Sequence, residues 1–134
     1  MLVHYLQPHY PFIGPTGREH FDYTAIDDPS GEETELDATF WDTVGTRIND
    51  VPEDVVREAY CENRDVTLPH VQELMETVDG RTIVTADHGE MLNDRSFPVA
   101  NRIYGHPAGL YTTELVDVPW QIYTNGSRRR IVAE

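Results

Sequence analysis

The chain contains no lysine: its ten basic residues are all arginine, against 24 Asp and Glu residues and a formal net charge of −14. A nucleic-acid binder needs a basic face to neutralise phosphates. Because the basic residues cluster only at Arg128–Arg130, we expect no nucleic-acid partner. The lysine-free acidic surface is typical either of an ordinary acidic protein or of a halophile, in which abundant salt screens the repulsion between carboxylates.

The chain also has little that marks a secreted or membrane protein. Its single cysteine, Cys61, excludes an internal disulfide and a cysteine-rich zinc site. No apolar run approaches the roughly 18 residues of a membrane span, and Met1–Gln7 is too short and uncharged for a signal peptide. Seven Tyr, four Phe and two Trp argue against disorder. The sequence therefore predicts a soluble, cytoplasmic domain of 134 residues.

The order of predicted elements is typical of an α/β domain. Apolar residues predict a short buried strand over Leu2–Leu6, which the prolines after it end. The acidic stretch Asp22–Asp50 predicts a surface excursion with one short helix near Phe40–Arg47. Asp50 is typical of the cap of a long helix, and Pro69 should kink that helix or split it in two.

The carboxyl-terminal half supplies the other strands. The β-branched run Arg81–Ala86 predicts a buried strand. Met91–Tyr104 has the composition of a long loop, and Leu115–Thr124 predicts a last strand interrupted at Pro119. The expected domain thus has about three core strands and one long helix.

The pattern that best indicates a site is Thr-Ala-Asp-His-Gly-Glu (Thr85–Glu90), which begins in the last two residues of the predicted strand Arg81–Ala86. In open α/β sheets ligands lie beyond the carboxyl ends of strands, where Asp87 and His88 fall. An anionic oxygen beside an imidazole suits a divalent cation, and Gly89 permits a turn that aims both side chains at one point. The alternative is a polar turn in which Asp87 caps the segment that follows.

Two further histidines lie on predicted loops. His9 follows the first predicted strand, and His106 stands between a glycine and a proline. Either one alone is consistent with a surface or packed histidine. Together with Asp87 and His88 they would line one pocket, since histidine binds metals and anions and transfers protons. We expect His9 within a side chain's reach of Asp87 and His88, provided that the first strand runs parallel to the second.

Four segments, taken in order, resemble the carboxyl-terminal half of a sulfatase-like hydrolase of the alkaline phosphatase superfamily, in its haloarchaeal versions: His9–Phe12, Thr82–Glu90, Tyr104–Pro107 and Val116–Trp120. The resemblance runs from about Leu2 to Ile122. It implies part of a three-layer α/β sandwich and a metal-dependent hydrolysis of sulfuric or phosphoric esters, including those of glycans. Sulfate, phosphate and phosphonate substrates all stay open.

The resemblance also implies a role for four residues. Asp87 and His88 match the family's metal box and would hold a divalent cation, with Ca²⁺, Mn²⁺ and Zn²⁺ all open. His9 matches the histidine of a loop that contacts the sulfate or phosphate and assists the leaving group. His106 lies where the family places a late basic residue against the transferred group.

The family's amino-terminal segment, with its Cys, Ser or Thr nucleophile, has no counterpart in the sequence. Cys61 lies in an acidic stretch of the predicted helix and is neither that nucleophile nor an activated thiolate. We therefore expect residues 1–134 to be a single partial domain, inactive alone, rather than a complete minimal protein. Two alternatives stay open: a non-catalytic module that binds anions or glycans, and a structural protein that pairs through exposed strand edges.

A partial domain would leave one face of its sheet uncovered. A parallel sheet is normally buried on both sides, and one long helix cannot cover both. The apolar patch left on the bare face would promote self-association. The side chains expected to be exposed there are Leu2, Val3, Ile83, Val84 and Trp120.

Overall fold

The computed structural model describes residues 1–21, 40–44, 50–96, 98 and 100–127. Helices and strands mix along these residues, which confirms the predicted α/β class. In chain order the elements are α1 (Pro15–His20), α2 (Phe40–Thr43), α3 (Glu53–Thr77), β1 (Gly80–Thr85), β2 (Met91–Arg95), β3 (Arg102–Gly105), α4 (Thr113–Val116) and β4 (Trp120–Asn125).

The long helix α3 contains 25 residues. Glu53 and Asp54 lie in its first turn, where negative charge is favourable at the positive end of the helix dipole. Pro52 takes the cap position predicted for Asp50. The helix continues through Pro69 to Thr77, so this proline does not split it, and the alternative, a kink, stays a prediction.

The strands β1 and β4 form an antiparallel pair, from Gly80 opposite Asn125 to Thr85 opposite Trp120. The predicted strand at Arg81–Ala86 is confirmed, but alternate side chains along it are exposed. An antiparallel pair can leave one face to solvent, unlike the parallel sheet that the sequence predicts. The predicted last strand is confirmed only from Trp120 onward, after the interrupting proline.

The strands β2 and β3 form a second antiparallel pair, where the sequence predicts a loop over Met91–Tyr104. Met91 lies opposite Gly105, and the register shifts between Leu92 and Asp94. The loop prediction is wrong. Asn93 and Asp94 have low strand propensity, so the residue types in β2 do not indicate the strand that forms there. The described residues thus hold four strands in two sheets rather than about three in one.

The segment Leu2–Leu6 forms no strand, so the predicted first strand is wrong. Its apolar side chains do not pack as a buried strand would, and Leu2 is 94% exposed. The expected exposure is confirmed for Leu2, Val3, Ile83 and Trp120, whereas Val84 is half-buried. Self-association through this apolar surface stays a prediction.

The core lies where α3 meets the amino-terminal loop, α2 and β2. The rings of Tyr10 and Phe40 are stacked with their centroids 4.2 Å apart. Phe12 has no exposed surface and packs edge-on against Tyr10 and Phe40. The buried cluster consists of Phe12, Phe21, Val44, Val56, Ala59 and Leu92.

The predicted short helix near Phe40–Arg47 is confirmed at its start by α2. The rest of the acidic excursion, residues 22–39 and 45–49, lies outside the described residues, as does the Arg128–Arg130 cluster. Among the residues that the structure describes, no helix is both long and apolar enough to cross a bilayer.

Candidate functional site

The loop that carries His9 is held to α3 by one buried side chain, Asn63, which has no exposed surface. Its Nδ2 group donates to the carbonyl oxygens of Pro8, His9 and Pro11 at 3.2, 3.0 and 3.0 Å. Its Oδ1 atom accepts from the N–H of Ile13 at 2.6 Å. These contacts place His9 without the parallel strand that the sequence predicts.

The neighbouring Glu62 holds the segment that follows this loop. Its carboxylate accepts from the backbone N–H of Thr16 at 2.8 Å and from the Thr16 hydroxyl at 2.9 Å. The first N–H groups of a helix have no partner within the helix, and Glu62 satisfies one of them at the start of α1. Asn63 and Glu62 therefore fasten both ends of the His9 region to the same turn of α3.

The ring of His9 has a contact at each nitrogen. Its Nδ1 atom lies 2.7 Å from the carbonyl oxygen of Tyr10, and Trp41 Nε1 lies 3.1 Å from its Nε2 atom. Because an indole N–H can only donate, His9 Nε2 must be the acceptor. Both contacts are satisfied together by the tautomer that carries its hydrogen on Nδ1.

His106 is bound to a buried carboxylate, that of Glu90. The Nδ1 atom of His106 lies 2.7 Å from Glu90 Oε1, and the Glu90 side chain is only 3% exposed. Burial, followed by the charge of Glu90, raises the pKa of Tyr60 to about 12. Glu90 thus brings a negative charge into a largely buried place, where pairing with His106 offsets its loss of hydration.

The His106 ring also lies close to the rings of His9 and His88. Its centroid lies 5.4 Å from that of His9 and 4.2 Å from that of His88, the latter pair tilted by 32°. The three rings come from the amino-terminal loop, from the segment after β1 and from the end of β3. The structure therefore brings together three residues that the sequence predicts as site residues.

The predicted metal pair, Asp87 and His88, lies at the pocket side of His106. Asp87 Oδ1 accepts from the His88 N–H at 3.0 Å, and Asp87 Oδ2 lies 3.9 Å from His88 Nε2. Burial raises the pKa of the Asp87 carboxyl, but backbone hydrogen bonds and the nearby His88 and His4 rings lower it below its usual value. The Asp87 side chain is 73% exposed. The carboxylate is therefore charged and accessible, and its convergence with His88 on one cation stays a prediction.

Gly89 is required by close packing against α4. Its N–H donates to the carbonyl of Leu115 at 2.9 Å, and a Cβ atom at this position would lie 2.0 Å from the carbonyl oxygen of Glu114. The sequence predicts this glycine for a sharp turn, whereas the structure shows a contact that leaves no room for a side chain. The contact fixes α4 beside His88.

An open pocket of about 360 Å³ lies beside these groups. Asp87, His88 and His106 form its polar wall, and Leu110 and Leu115 are among its apolar lining residues. His9 stands behind His106 and does not line it. The pocket therefore combines a charged carboxylate, two imidazoles and an apolar surface, a composition suited to a small polar ligand.

Among the described residues, His9, Glu90 and His106 form a group that could hold a metal ion, with ligand atoms that all lie within 4.8 Å of one another. The resemblance implies anion contacts for two of these residues, His9 and His106, and assigns no role to Glu90. The signal that could have identified Glu90 is its position after Gly89, next to the predicted metal residues. Its burial could not be read from the chain, because it depends on the unpredicted pairing of β2 with β3.

Comparison of the chain with protein-family models, with curated proteins and with solved structures finds no match.

Proposed function

We propose that the chain supplies the cation-binding and anion-binding side of a sulfatase-like, metal-dependent hydrolase of sulfuric or phosphoric esters. The observation that carries this proposal is the convergence of three histidine rings from separate segments, with centroid distances of 5.4 and 4.2 Å, beside a charged carboxylate at an open pocket. A divalent cation, when bound there, would neutralise negative charge on the ester group and activate the attacking nucleophile.

The donor atoms at the pocket fit such a cation. Asp87 offers a charged oxygen and His88 an imidazole nitrogen, 3.9 Å apart, and the exposed Asp87 side chain can rotate to shorten that distance. Calcium takes almost only oxygen ligands, whereas zinc and manganese accept imidazole. The mixed donors therefore favour Zn²⁺ or Mn²⁺ over Ca²⁺.

The two remaining histidines would act on the anion in different ways. His106 lines the pocket, and its hydrogen bond to Glu90 through Nδ1 turns Nε2 away from that carboxylate. His106 is therefore the residue that would contact a sulfate or phosphate group. His9, whose ring nitrogens face Tyr10 and Trp41, would support the His106 ring from behind.

The nucleophile would come from outside this sequence, which contains no Cys/Ser-x-Pro-x-Arg box. We therefore expect the chain to bind an ester anion without turning it over. The chain's own residues would bind the ester, orient it and hold the proton-carrying histidines next to it.

The proposal is tested with the purified chain in concentrated KCl, using 4-nitrophenyl sulfate and 4-nitrophenyl phosphate as probes. Saturation-transfer NMR should show binding of one of these esters that requires added Mn²⁺ or Zn²⁺, and His106→Ala should abolish it. His70→Ala, a change at an exposed histidine on α3, is the matched control and should bind normally. Equal binding by His106→Ala, or no binding with either metal, would refute the proposal.

A second candidate function is a non-catalytic module that binds sulfated or phosphorylated glycans. The observation in its favour is Tyr111, which lines the pocket and is 82% exposed. An exposed aromatic ring offers a flat apolar face on which a sugar can stack. Micromolar binding of a sulfated oligosaccharide that is lost in Tyr111→Ala, and that needs no metal, would favour this function over hydrolysis.

A further inference from the structure

We infer that His9, Glu90 and His106 form a zinc site of their own, separate from the Asp87–His88 pair. The inference deepens the proposed function by naming a cation and its ligands. It rests on that function only for the use of the cation in hydrolysis.

The geometry of the three side chains is close to that of a zinc site. Their ligand atoms all lie within 4.8 Å of one another, and His106 Nδ1 is 2.7 Å from Glu90 Oε1. Zinc binds nitrogen and oxygen ligands at about 2.0–2.2 Å, which places two tetrahedral ligands roughly 3.3 Å apart. Movements of an ångström or so in His9 and His106 would therefore complete the site.

The chemistry of the donors suits zinc better than calcium or magnesium. Two imidazoles with one carboxylate are a set that zinc takes in hydrolytic sites, with a fourth position open to water or substrate. Calcium and magnesium prefer oxygen and would gain little from two nitrogens. The burial of the Glu90 side chain, which is 3% exposed, favours a bound cation as such, because a buried carboxylate is costly unless a positive charge faces it.

The contacts of His9 indicate which of its nitrogens would bind. Metal-bound imidazoles usually donate their other N–H to a carbonyl or carboxylate, and His9 Nδ1 already lies 2.7 Å from the Tyr10 carbonyl. Nε2 is therefore the atom that we assign to zinc. In the structure this atom accepts from Trp41 Nε1 at 3.1 Å, so zinc must displace the indole N–H.

The displacement makes Trp41 an internal reporter of zinc binding. The chain has two tryptophans, and the other one, Trp120, lies on the separate β1–β4 pair with 64% of its surface exposed. Zinc should change the fluorescence of the intact chain, and Trp41→Phe should remove that change. The same variant frees His9 Nε2 and should bind zinc several-fold more tightly.

The test is a titration of the whole chain with Zn²⁺ alone, by calorimetry and tryptophan fluorescence, and with Co²⁺ by visible absorption. Glu90→Gln and His106→Ala should each lower the zinc affinity by at least about 10-fold and remove the tetrahedral Co²⁺ bands. His70→Ala, at an exposed histidine on α3, is the control and should change the affinity less than about 3-fold, well below the change expected for a lost ligand. Far-UV circular dichroism checks that each variant is folded, and the more exposed His106 provides the test if Glu90→Gln does not fold.

The outcomes separate this inference from the proposed function. Zinc binding that is lost in Asp87→Asn and kept in Glu90→Gln and His106→Ala would overturn the inference and leave the hydrolase proposal standing. Zinc binding with the expected variant pattern, but without any binding of 4-nitrophenyl sulfate or phosphate, would support the inference and refute the hydrolase proposal. Failure to bind zinc at all would overturn the inference.

Discussion

The side-chain amide of Asn63, in the middle of α3, donates to the backbone carbonyl of His9 over 3.0 Å and across 54 positions of sequence. The same side chain reaches Pro8, Pro11 and Ile13, so its polar atoms are used on the backbone of one loop. A buried amide with several partners cannot be replaced by an apolar side chain without leaving those partners unsatisfied. The position of a predicted site histidine thus depends on a residue that has no part in its chemistry.

Replacing this amide should be costly. We expect Asn63→Ala to lower the free energy of unfolding by about 3 kcal/mol, because several buried backbone groups lose their partner together. Asn101→Ala, at an exposed asparagine, is the matched control and should stay within about 0.5 kcal/mol of the parent chain. Urea unfolding in concentrated salt measures both. A cost below about 1 kcal/mol for Asn63→Ala would show that water or a shifted loop replaces the amide.

Gly89 should tolerate no side chain. A methyl group there would meet the carbonyl oxygen of Glu114, and relieving that overlap must move α4 away from His88, so Gly89→Ala should cost about 3 kcal/mol. Gly109→Ala is the comparison, because it has open space around the new Cβ but a φ of +83°. It should cost only about 1 kcal/mol from backbone strain. Equal costs for the two variants, measured by urea unfolding, would contradict the close packing of Gly89.

The phenol of Tyr60 should ionise at a higher pH than that of an ordinary tyrosine. Burial and the charge of Glu90 raise its pKa to about 12, from the ordinary value of 10.0. An unfolded chain loses this proton first, so the stability that Tyr60 contributes is fully present below pH 10 and is lost as the pH rises to about 12. Tyrosinate absorbance at alkaline pH, compared with that of Tyr60→Phe, measures the step. A Tyr60 step near pH 10 in the folded chain would contradict this expectation.

Zinc should stabilise the fold as well as occupy the site. At a free concentration 100 times its Kd, a ligand that binds only the folded chain adds about 2.7 kcal/mol to the free energy of unfolding. We expect a gain of this size with Zn²⁺, its reversal by EDTA and its absence in Glu90→Gln. Thermal unfolding with and without the metal measures the gain. A similar gain in Glu90→Gln would place the metal elsewhere on the chain.

The sequence correctly predicts those helices and strands whose formation depends mainly on residues adjacent in the chain. Acidic residues and Pro52 mark the start of α3, and β-branched residues mark β1. The motif around Asp87 and His88 likewise leads to the correct edge of the pocket, because its residues are adjacent in the chain. These parts of the fold and the site can be predicted without information on contacts between residues far apart in the sequence.

The remainder depends on partners that are far apart in sequence. The alternation of apolar and polar residues along a strand indicates which of its faces is apolar. It does not indicate which strand pairs with it, so the pairing of β1 with β4 could not be predicted. Asn63 interrupts the apolar stripe of α3. Its role in holding the His9 loop is evident only from its hydrogen bonds to carbonyl groups near His9 in the folded structure. The role of Glu90 likewise could not be predicted, because it depends on a contact with His106 at the end of β3.

The way α3 joins the two sheets has a consequence for how the chain unfolds. Near its start, Arg57 donates to the carbonyl of Leu92 on β2, and near its end the backbone carbonyl of Glu76 accepts from the Asn125 side chain on β4. Pro69, which has no amide hydrogen, lies between these two attachments. We therefore expect the described residues to unfold as two cooperative units that share this helix. Amide hydrogens after Pro69 should exchange with solvent together with those of β1 and β4, while those around Asn63 stay protected with the site.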